Sequence, residues 1–235
     1  MREAGAGRAV GRLLVALAGA LAIVLAALPL GLAVRAAWPP LVDADAAVTA
    51  DAERAFAGSL ALLDVARVTT VAGDPVLLWA LVLVVCLLLH RAGRPRLVLF
   101  LLAVRLGAQA LSSGLKAVGD RARPVFDQPV DTALGASFPS GHSLGAAAVW
   151  TALAVVVVPL VRRGVVVVLT AVALAVAVAA SRVLLGVHDL SDVVGGFLIG
   201  TGWTAVCVAV LIAWRSEEGR PVDPVHDGVE PELRA

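Results

Sequence analysis

Six long apolar runs constrain the fold of this chain more than any other feature. Most approach the roughly 20 residues that an α-helix needs to cross a bilayer, although the second is shorter. No segment alternates polar and apolar residues as the strands of a transmembrane barrel do. Because 60% of the chain is hydrophobic, against about 45 to 50% in soluble domains, we predict an all-α membrane protein with six spans. The runs lie near residues 13 to 34, 75 to 90, 97 to 115, 143 to 161, 164 to 185 and 193 to 214.

Arginines in the short connections predict the orientation of the spans. Positively charged segments that flank membrane helices favour the cytoplasmic side. With six spans, the basic segments all fall on one side, whereas the acid-rich residues 38 to 74 fall on the other. We therefore expect cytoplasmic termini and an outer loop at 38 to 74. The arginines are Arg2, Arg8 and Arg12; Arg91, Arg94 and Arg96; Arg162 and Arg163; and Arg215 and Arg220.

The first span, the first outer loop and the C-terminal tail have less specific sequence patterns than the other spans. The first run has about 22 apolar residues, more than the 7 to 15 of a signal peptide, so an uncleaved signal anchor is preferred over a cleaved leader. Phe56, Leu60 and Leu63 follow an i, i+4, i+7 pattern, which predicts one amphipathic helix in the first outer loop. We assign residues 1 to 214 to the membrane domain and expect residues 215 to 235 to form a disordered cytoplasmic tail.

Three polar clusters are predicted to share the outer face. The third span ends at Lys116, the only lysine, within "KAVGDRARP", and "FPSGH" directly precedes the fourth span. The fifth span ends at Arg182, followed by His188 and Asp192 before the sixth span turns back. Because helices alternate in direction, all three clusters meet at one end of the bundle.

The residues in these clusters suit phosphoryl transfer. Three cations and backbone N–H donors at a glycine can hold a phosphate, while two imidazoles can divide nucleophilic attack and protonation of the leaving oxygen. Asp192, one helical turn after His188, can accept a hydrogen bond from that ring. The set comprises Lys116, Arg123, Ser140, Gly141, His142, Arg182, His188 and Asp192.

The polar residues and the cysteines also allow other interpretations. Two His and one Asp can bind zinc, but three nearby cations argue against a divalent ion. The formal net charge of +1 does not indicate a nucleic-acid surface. Asp189 and Ser191 are expected to cap the sixth helix. Cys86 and Cys207 lie in apolar runs, where we expect small buried hydrophobes rather than a disulfide.

The three clusters resemble the signature of a known family, the type 2 phosphatidic acid phosphatase (PAP2) superfamily of lipid phosphatases. The order and internal spacing of the motifs agree with the family pattern over residues 116 to 192, and the six-span layout extends the resemblance over most of the chain. The matching residues are Lys116, Arg123 and Pro124; Pro139, Ser140, Gly141 and His142; and Ser181, Arg182, His188 and Asp192.

This resemblance implies a role for each residue of the site. His188 would be the nucleophile that forms a phosphohistidine, Asp192 would orient it, and His142 would act first as general acid and then as base. The resemblance also implies metal-independent catalysis without a cofactor, at an active site on the outer face of the plasma membrane. The implied phosphate-binding residues are Lys116, Arg123, Ser140, Gly141 and Arg182.

The implied function is that of an integral-membrane lipid phosphatase acting on a phosphomonoester or diphosphate. By family analogy, polyprenyl diphosphate is the favoured substrate, with phosphatidylglycerol phosphate and phosphatidate next. The alternatives are a phosphotransferase using the same intermediate, a non-catalytic lipid-binding or transport protein, and a vanadium-dependent haloperoxidase. Six spans argue against the haloperoxidase, whose relatives are soluble, and the presence of both histidines argues against a non-catalytic protein. The oligomeric state is left open.

One polar stripe lies outside the signature. Arg105, Gln109, Ser112 and Lys116 recur at i, i+4, i+7 and i+11 and therefore share one face of the third span. At a rise of 1.5 Å per residue, Arg105 lies roughly 16 Å below Lys116, well inside the bilayer. The stripe either lines a wet cavity below the active site or pairs with a polar group on another helix.

Overall fold

The computed structural model describes residues 2–57, 59–119, 121–124 and 135–217. Within these ranges the regular structure is entirely helical, which confirms the predicted all-α class. The last helix continues to Glu217, beyond the predicted boundary at residue 214, and residues 218 to 235 of the expected tail lie outside the described residues. The helices are α1 (Arg2–Arg35), α2 (Pro39–Ala57), α3 (Leu60–Val71), α4 (Pro75–Arg91), α5 (Pro95–Gly119), α6 (Gly141–Val157), α7 (Gly164–Leu184) and α8 (Leu190–Glu217), with one 3-10 turn at Val158–Leu160.

The spans agree with a multi-pass membrane protein. By length and composition, five single helices within the described residues can cross a membrane, in α1, α5, α6, α7 and α8. Taken together, α3 and α4 pass the same test as one span, the second in chain order, and they meet at an angle of 43°. The second apolar run seemed short in the sequence because it corresponds to α4 alone, and α3 supplies the remaining length.

The first outer loop differs from the predicted single amphipathic helix. Helix α2 ends at Ala57 and α3 begins at Leu60, where the hydroxyl of Ser59 accepts a hydrogen bond from the N–H of Leu62. The pattern of Phe56, Leu60 and Leu63 is therefore divided between two helices, so a continuous helix through these residues is wrong, whereas an amphipathic helix in this loop stays a prediction. The cap at Ser59 is the physical reason, because a side chain that satisfies the first N–H groups starts a new helix.

A bend between α3 and α4 forms one wall of the site. The carboxylate of Asp74 accepts hydrogen bonds from the N–H groups of Val76 and Leu77 at 2.8 and 3.0 Å, and Pro75 occupies the first turn of α4. Proline is favoured there because its missing N–H would have no helical partner. In α3, Ala66 packs against Leu185 and Val187, which follow α7. Residues just before His188 are thereby fixed against α3.

Helices α6 and α8 approach each other closely, and glycine makes this possible. A Cβ on Gly196 would lie 2.6 Å from the carbonyl oxygen of Ser140, and one on Gly200 would lie 2.3 Å from that of Leu144. Larger residues cannot occupy these positions without separating the helices. The first turns of α6 and α8, which carry the second and third polar clusters, are consequently held side by side.

Apolar side chains are divided between an internal core and the outer surface of the bundle. Cys86 and Cys207 are buried free thiols within the core, as predicted for small hydrophobes. Many Leu and Val side chains instead point outward; Val15 and Val165 are 74% and 73% exposed. Such a surface suits contact with lipid chains, because extended apolar patches are uncommon on soluble monomers.

Candidate active site

The three polar clusters converge on one cavity of about 280 Å³ at an end of the bundle. We refer to it as the active-site cavity. Six of the eight predicted site residues line it, whereas Asp192 lies behind His188 and Ser140 lies behind the wall. The six are Lys116, Arg123, Gly141, His142, Arg182 and His188.

His188 and Asp192 form a buried pair at the start of α8. The Nδ1 atom of His188 lies 3.3 Å from Oδ2 of Asp192, and these residues are 4% and 0% exposed. The same oxygen accepts hydrogen bonds from the Ser137 hydroxyl and, at 3.1 Å, from the N–H of Asp189. An acceptor at Nδ1 favours the tautomer with its proton there and a lone pair on Nε2. The ring nitrogen required for attack is therefore the one directed away from Asp192.

Burial sets the protonation state of His188. Loss of water around the ring lowers the pKa of His188 to about 4, although the hydrogen bond to Asp192 and its charge oppose the change. Arg123 and Arg182 lower this pKa further by repulsion. At neutral pH the imidazole is uncharged, which is the form that can act as a nucleophile.

Arg121 connects the catalytic pair to the first outer loop, and the sequence analysis missed it. Its Nη1 donates to Oδ1 of Asp192 at 2.7 Å and to the Ser191 hydroxyl at 2.6 Å. Its Nη2 donates to Oδ2 of Asp45 at 2.7 Å and forms an ion pair with Asp189 at 3.1 Å. Burial would lower the pKa of Arg121, but Asp192 and the other carboxylates raise it overall. One guanidinium thus bridges three carboxylates.

Asp189 and Ser191 have roles other than those predicted. The carbonyl of Asp189 accepts the N–H groups of Asp192 and Val193, as expected for the residue before a helix. However, the Asp189 carboxylate faces Arg121, and Ser191 donates its hydroxyl to Asp45 at 2.6 Å. The predicted side-chain caps were therefore wrong, because Arg121 and Asp45, which are distant in sequence, bind these groups instead. Burial raises the pKa of Asp189 to about 6, against the opposing effect of Arg121.

Backbone carbonyl groups hold the two cations of the first motif in place. The ammonium of Lys116 donates to the carbonyl of Ala136 at 2.6 Å. The guanidinium of Arg123 donates to the carbonyls of Gly135 and Val187 at 3.1 and 2.7 Å, and its Nη1 lies 3.3 Å from Nε2 of His188. A positive group is thereby fixed beside Nε2 of His188, the atom that would attack phosphorus. Such preorganisation lowers the cost of stabilising the charge that develops during the reaction.

The third cation is anchored on a different helix. Arg182, at the end of α7, is 5% exposed and donates from Nη1 to the hydroxyl of Thr70 at 2.9 Å. Because Thr70 belongs to α3, this hydrogen bond joins the fifth span to the bent second span. The three cations therefore reach the cavity from two separate parts of the chain, the first motif and the end of α7.

The "PSGH" segment forms the N-terminus of α6. The Ser140 hydroxyl accepts from the N–H of Ser143 at 3.4 Å, and the N–H of Ser140 donates to the carbonyl of Asp192 at 3.0 Å. A Cβ at Gly141 would lie 3.2 Å from the hydroxyl of Ser112, so this position is tightly packed. Helix N-termini favour anions, and Gly141 and His142 both face the cavity. Contact between Ser140 and phosphate stays a prediction.

The Arg105 stripe lines the same cavity. Arg105, Gln109, Ser112 and Lys116 all belong to its wall. Arg105 also donates to the side chain of Gln109 at 3.1 Å and to the carbonyl of Pro75 at 3.2 Å. Its guanidinium carbon lies 4.6 Å from the ring centre of Trp79. The stripe therefore lines the active-site cavity and its arginine also contacts groups on α4, whereas the presence of water in this part of the cavity stays a prediction.

The donor set does not resemble a metal site. In the part of the chain that the structure describes, no group of three or more His, Cys, Asp or Glu side chains is arranged to hold a metal ion. The residues around the cavity instead combine four cations, including Arg105, with two imidazoles, which suits an anion.

Comparison with known proteins identifies the family. The profile of the PAP2 superfamily matches residues 96–216, about half of the chain. The chain belongs to the PAP2 superfamily. The matched region includes every residue of the three motifs, so the PAP2 resemblance of the sequence is confirmed.

Two relatives extend this PAP2 assignment. Phosphatidylglycerophosphatase B of Bacillus subtilis (strain 168) is 42% identical over 94 residues, which cover 38% of this chain and 46% of that protein. The matched region thus spans less than half of that relative. The crystal structure of a transmembrane PAP2 type phosphatidylglycerolphosphate phosphatase from Bacillus subtilis is 28% identical, with a TM-score of 0.75. It covers 86% of this chain and 98% of its own, so the similarity includes nearly the whole bundle.

Proposed function

We propose that this PAP2 protein is an integral-membrane lipid phosphatase that uses a phosphohistidine intermediate and no metal ion. The observation that carries the proposal is the pairing of His188 with Asp192 at a cavity that three cations and His142 also line. A buried neutral imidazole supplies a nucleophile, and fixed cations stabilise the charge on a transferring phosphoryl group. The position of the cavity at one end of an apolar bundle suits a substrate with a phosphate head and a lipid tail.

In the first step, the lone pair on Nε2 of His188 attacks phosphorus. A phosphorus–nitrogen bond forms while the bond between phosphorus and the lipid oxygen breaks. His142, in its protonated form, gives its proton to the departing oxygen, so the lipid leaves as an alcohol or, from a diphosphate, as a monophosphate. The Nδ1 proton of His188 remains directed at Asp192, whose negative charge stabilises the positive phosphohistidine ring.

In the second step, water hydrolyses the intermediate. His142 is now neutral and removes a proton from water as the water oxygen bonds to phosphorus. The phosphorus–nitrogen bond breaks, its electron pair returns to Nε2, and inorganic phosphate leaves. His142 finishes protonated and His188 finishes neutral, which restores the starting state. A phosphotransferase would share the first step and replace water with another hydroxyl.

The two relatives change the order of the candidate substrates for this chain. Both relatives are named as phosphatases of phosphatidylglycerol phosphate, so this lipid moves to first place for the present chain. Polyprenyl diphosphate, favoured by family analogy alone, and phosphatidate follow. In each of these three lipids a terminal phosphate would enter the cavity. The lipids differ in the group to which that phosphate is attached.

We further propose that the active site faces the outside of the plasma membrane, with both chain ends in the cytoplasm. The distribution of arginines supports this orientation. Lys116, His142 and His188 lie at the helix ends opposite the connections that carry Arg162 and Arg163. Accessibility of single cysteines to a membrane-impermeant reagent in whole cells tests the orientation.

A lipid panel tests the activity. Purified protein in detergent is incubated with phosphatidylglycerol phosphate, polyprenyl diphosphate or phosphatidate in excess chelator, and inorganic phosphate is measured. We expect release from at least one lipid, with kcat/KM highest for phosphatidylglycerol phosphate, and inhibition by orthovanadate. A strict requirement for added divalent metal would exclude the mechanism, and absence of release from all three lipids would exclude the activity.

A further inference from the structure

Arg105 is a buried cation with no acidic partner in the part of the chain that the structure describes. It lies near the middle of the span Pro95–Val118 and is only 2% exposed. Among the residues that the structure describes, no carboxylate forms an ion pair with it, and its Nε atom has no hydrogen-bond partner there. Gln109, Pro75 and the Trp79 ring contribute only neutral contacts. An uncompensated charge at this depth is costly and marks a functional group by default.

The charge of Arg105 adjoins the cavity that holds the catalytic residues. Arg105 and Gln109 line the end of the cavity nearer the middle of α5, and Lys116 lines the end nearer its C-terminus. Lys116 follows Gln109 by seven positions, which corresponds to roughly 10 Å along α5 at 1.5 Å per residue. Ser112 and Ser113 line the wall between them and keep it polar. The polar cavity therefore continues toward the middle of the membrane, beyond the three cations that surround His188.

We propose that Arg105 and Gln109 form a second anion subsite, which binds an acidic group on the lipid side of the transferred phosphate. This inference rests on the proposed phosphatase function and specifies its substrate class. When the terminal phosphate lies at His188, the rest of the headgroup extends toward the bilayer centre, where Arg105 lies. The guanidinium would donate charge-assisted hydrogen bonds to that group. Gln109 is exposed on α5 and marks where the lipid chains leave the cavity sideways.

The depth of the subsite distinguishes between classes of lipid. In phosphatidylglycerol phosphate, a three-carbon glycerol separates the terminal phosphate from a phosphodiester that carries a second negative charge. Phosphatidate has no second phosphorus. In a polyprenyl diphosphate, a single oxygen joins the two phosphorus atoms, so both would remain near Lys116, Arg123 and Arg182. Arg105 therefore favours a lipid whose second anionic group is displaced from the first.

Selectivity between two lipids with identical acyl chains tests the subsite. The wild-type protein and the Arg105→Gln variant are compared by kcat/KM for phosphatidylglycerol phosphate and for phosphatidate in mixed micelles. We expect the loss for phosphatidylglycerol phosphate to exceed the loss for phosphatidate by about ten- to a hundredfold, mainly through KM, as for a charge-assisted hydrogen bond. Equal losses for both lipids, or no loss for either, would overturn the subsite.

Two further variants keep the test decisive if Arg105→Gln does not fold. Gln109→Leu, at an exposed position, removes the hydrogen bond that orients Arg105 and should give a smaller loss of the same selectivity. Arg91→Gln, at the exposed end of α4, is the matched control for loss of one arginine and should preserve the selectivity. Unchanged selectivity in Gln109→Leu, with Arg105→Gln unfolded, would count against the proposal.

Direct binding separates this inference from the phosphatase activity. The Kd of each lipid is measured on His188→Ala protein with Arg105 intact and with Arg105→Gln. We expect Arg105→Gln to weaken binding of phosphatidylglycerol phosphate about tenfold more than binding of phosphatidate, whether or not the wild type releases phosphate. Equal weakening for the two lipids would refute the subsite alone, whereas an inactive wild type with selective binding would refute only the activity.

Discussion

Arg121 donates a 2.7 Å hydrogen bond to Oδ1 of Asp192, while the other carboxylate oxygen of Asp192 faces Nδ1 of His188 at 3.3 Å. The nucleophile is thus held through two consecutive contacts. Arg121 is in turn fixed by Asp45 on α2. These contacts make the geometry of the site depend on Asp45 in α2, a residue of the first outer loop that does not itself line the cavity.

Replacing Arg121 with lysine should impair catalysis more than binding. Lysine retains the charge but cannot bridge three carboxylates as a planar guanidinium does. We expect kcat to fall by about ten- to a hundredfold, with KM changed less than about threefold, because a misplacement near 1 Å has costs of this order. Steady-state kinetics on a lipid phosphate measure both constants.

The control for Arg121→Lys is Arg163→Lys, at an exposed position before α7. That variant should match the wild type. An increase in KM at constant kcat would mean that Arg121 contacts the substrate rather than positions Asp192.

Asp192→Asn should slow turnover and leave substrate binding largely intact. The amide has nearly the same shape, but it lacks the negative charge that stabilises a phosphorylated imidazole and can stabilise the wrong tautomer. The comparable change in serine hydrolases reduces kcat by about 10⁴, and we expect roughly 10³ to 10⁴ here. Lipid Kd and kcat are measured on the same preparation; a large increase in Kd with little change in kcat would contradict the assigned role.

The pH profile should report the low pKa of His188. The nucleophile must be neutral, and the pKa of His188 is lowered to about 4, so protonation removes activity only as the pH falls toward that value. At pH 6, where an unperturbed histidine would be about three-quarters protonated, we expect His188 to remain neutral and its protonation not to reduce kcat/KM. The ionisation of the substrate phosphate, near pH 6, is determined separately by ³¹P NMR and removed from the profile.

A corrected acid limb centred near pH 6.5 would contradict the burial of His188 as the controlling effect. Arg121 partly neutralises the negative charge of Asp192, so Arg121→Lys provides an internal comparison. A weaker interaction between the lysine and Asp192 leaves the carboxylate better able to stabilise the imidazolium form of His188. The pH midpoint of the acid limb should therefore rise in this variant.

Much of the site could be predicted from the sequence because its residues lie at the ends of apolar runs. Helices that alternate across a membrane assign each end to one face, and this places Lys116, His142 and His188 together. The spacing within the motif also predicts the contact of His188 with Asp192, although His188 lies two residues before the first residue of α8, Leu190. The fold follows from the same apolar runs.

The supporting network could not be predicted in this way. Asp45 and Arg121 are 76 residues apart, and Asp45 belongs to an acid-rich segment that resembles a solvated surface. No periodicity connects them, because α2 is positioned by packing against α7 and α8. The only sequence signal for Arg121 is its place in "GDRARP", two residues before Arg123. The break at Ser59 is likewise not apparent from the apolar pattern, because a serine can lie within a helix or cap the start of a new one.

The central claim is that His188 carries the phosphoryl group, and detection of phosphohistidine tests it most directly. Purified protein is mixed rapidly with a lipid phosphate labelled in its terminal phosphate, quenched in alkali and digested for mass spectrometry. We predict a label on His188 that forms at least as fast as phosphate is released, and neither label nor release in His188→Ala. Near-normal phosphate release by His188→Ala, or a label on another residue, would contradict the account.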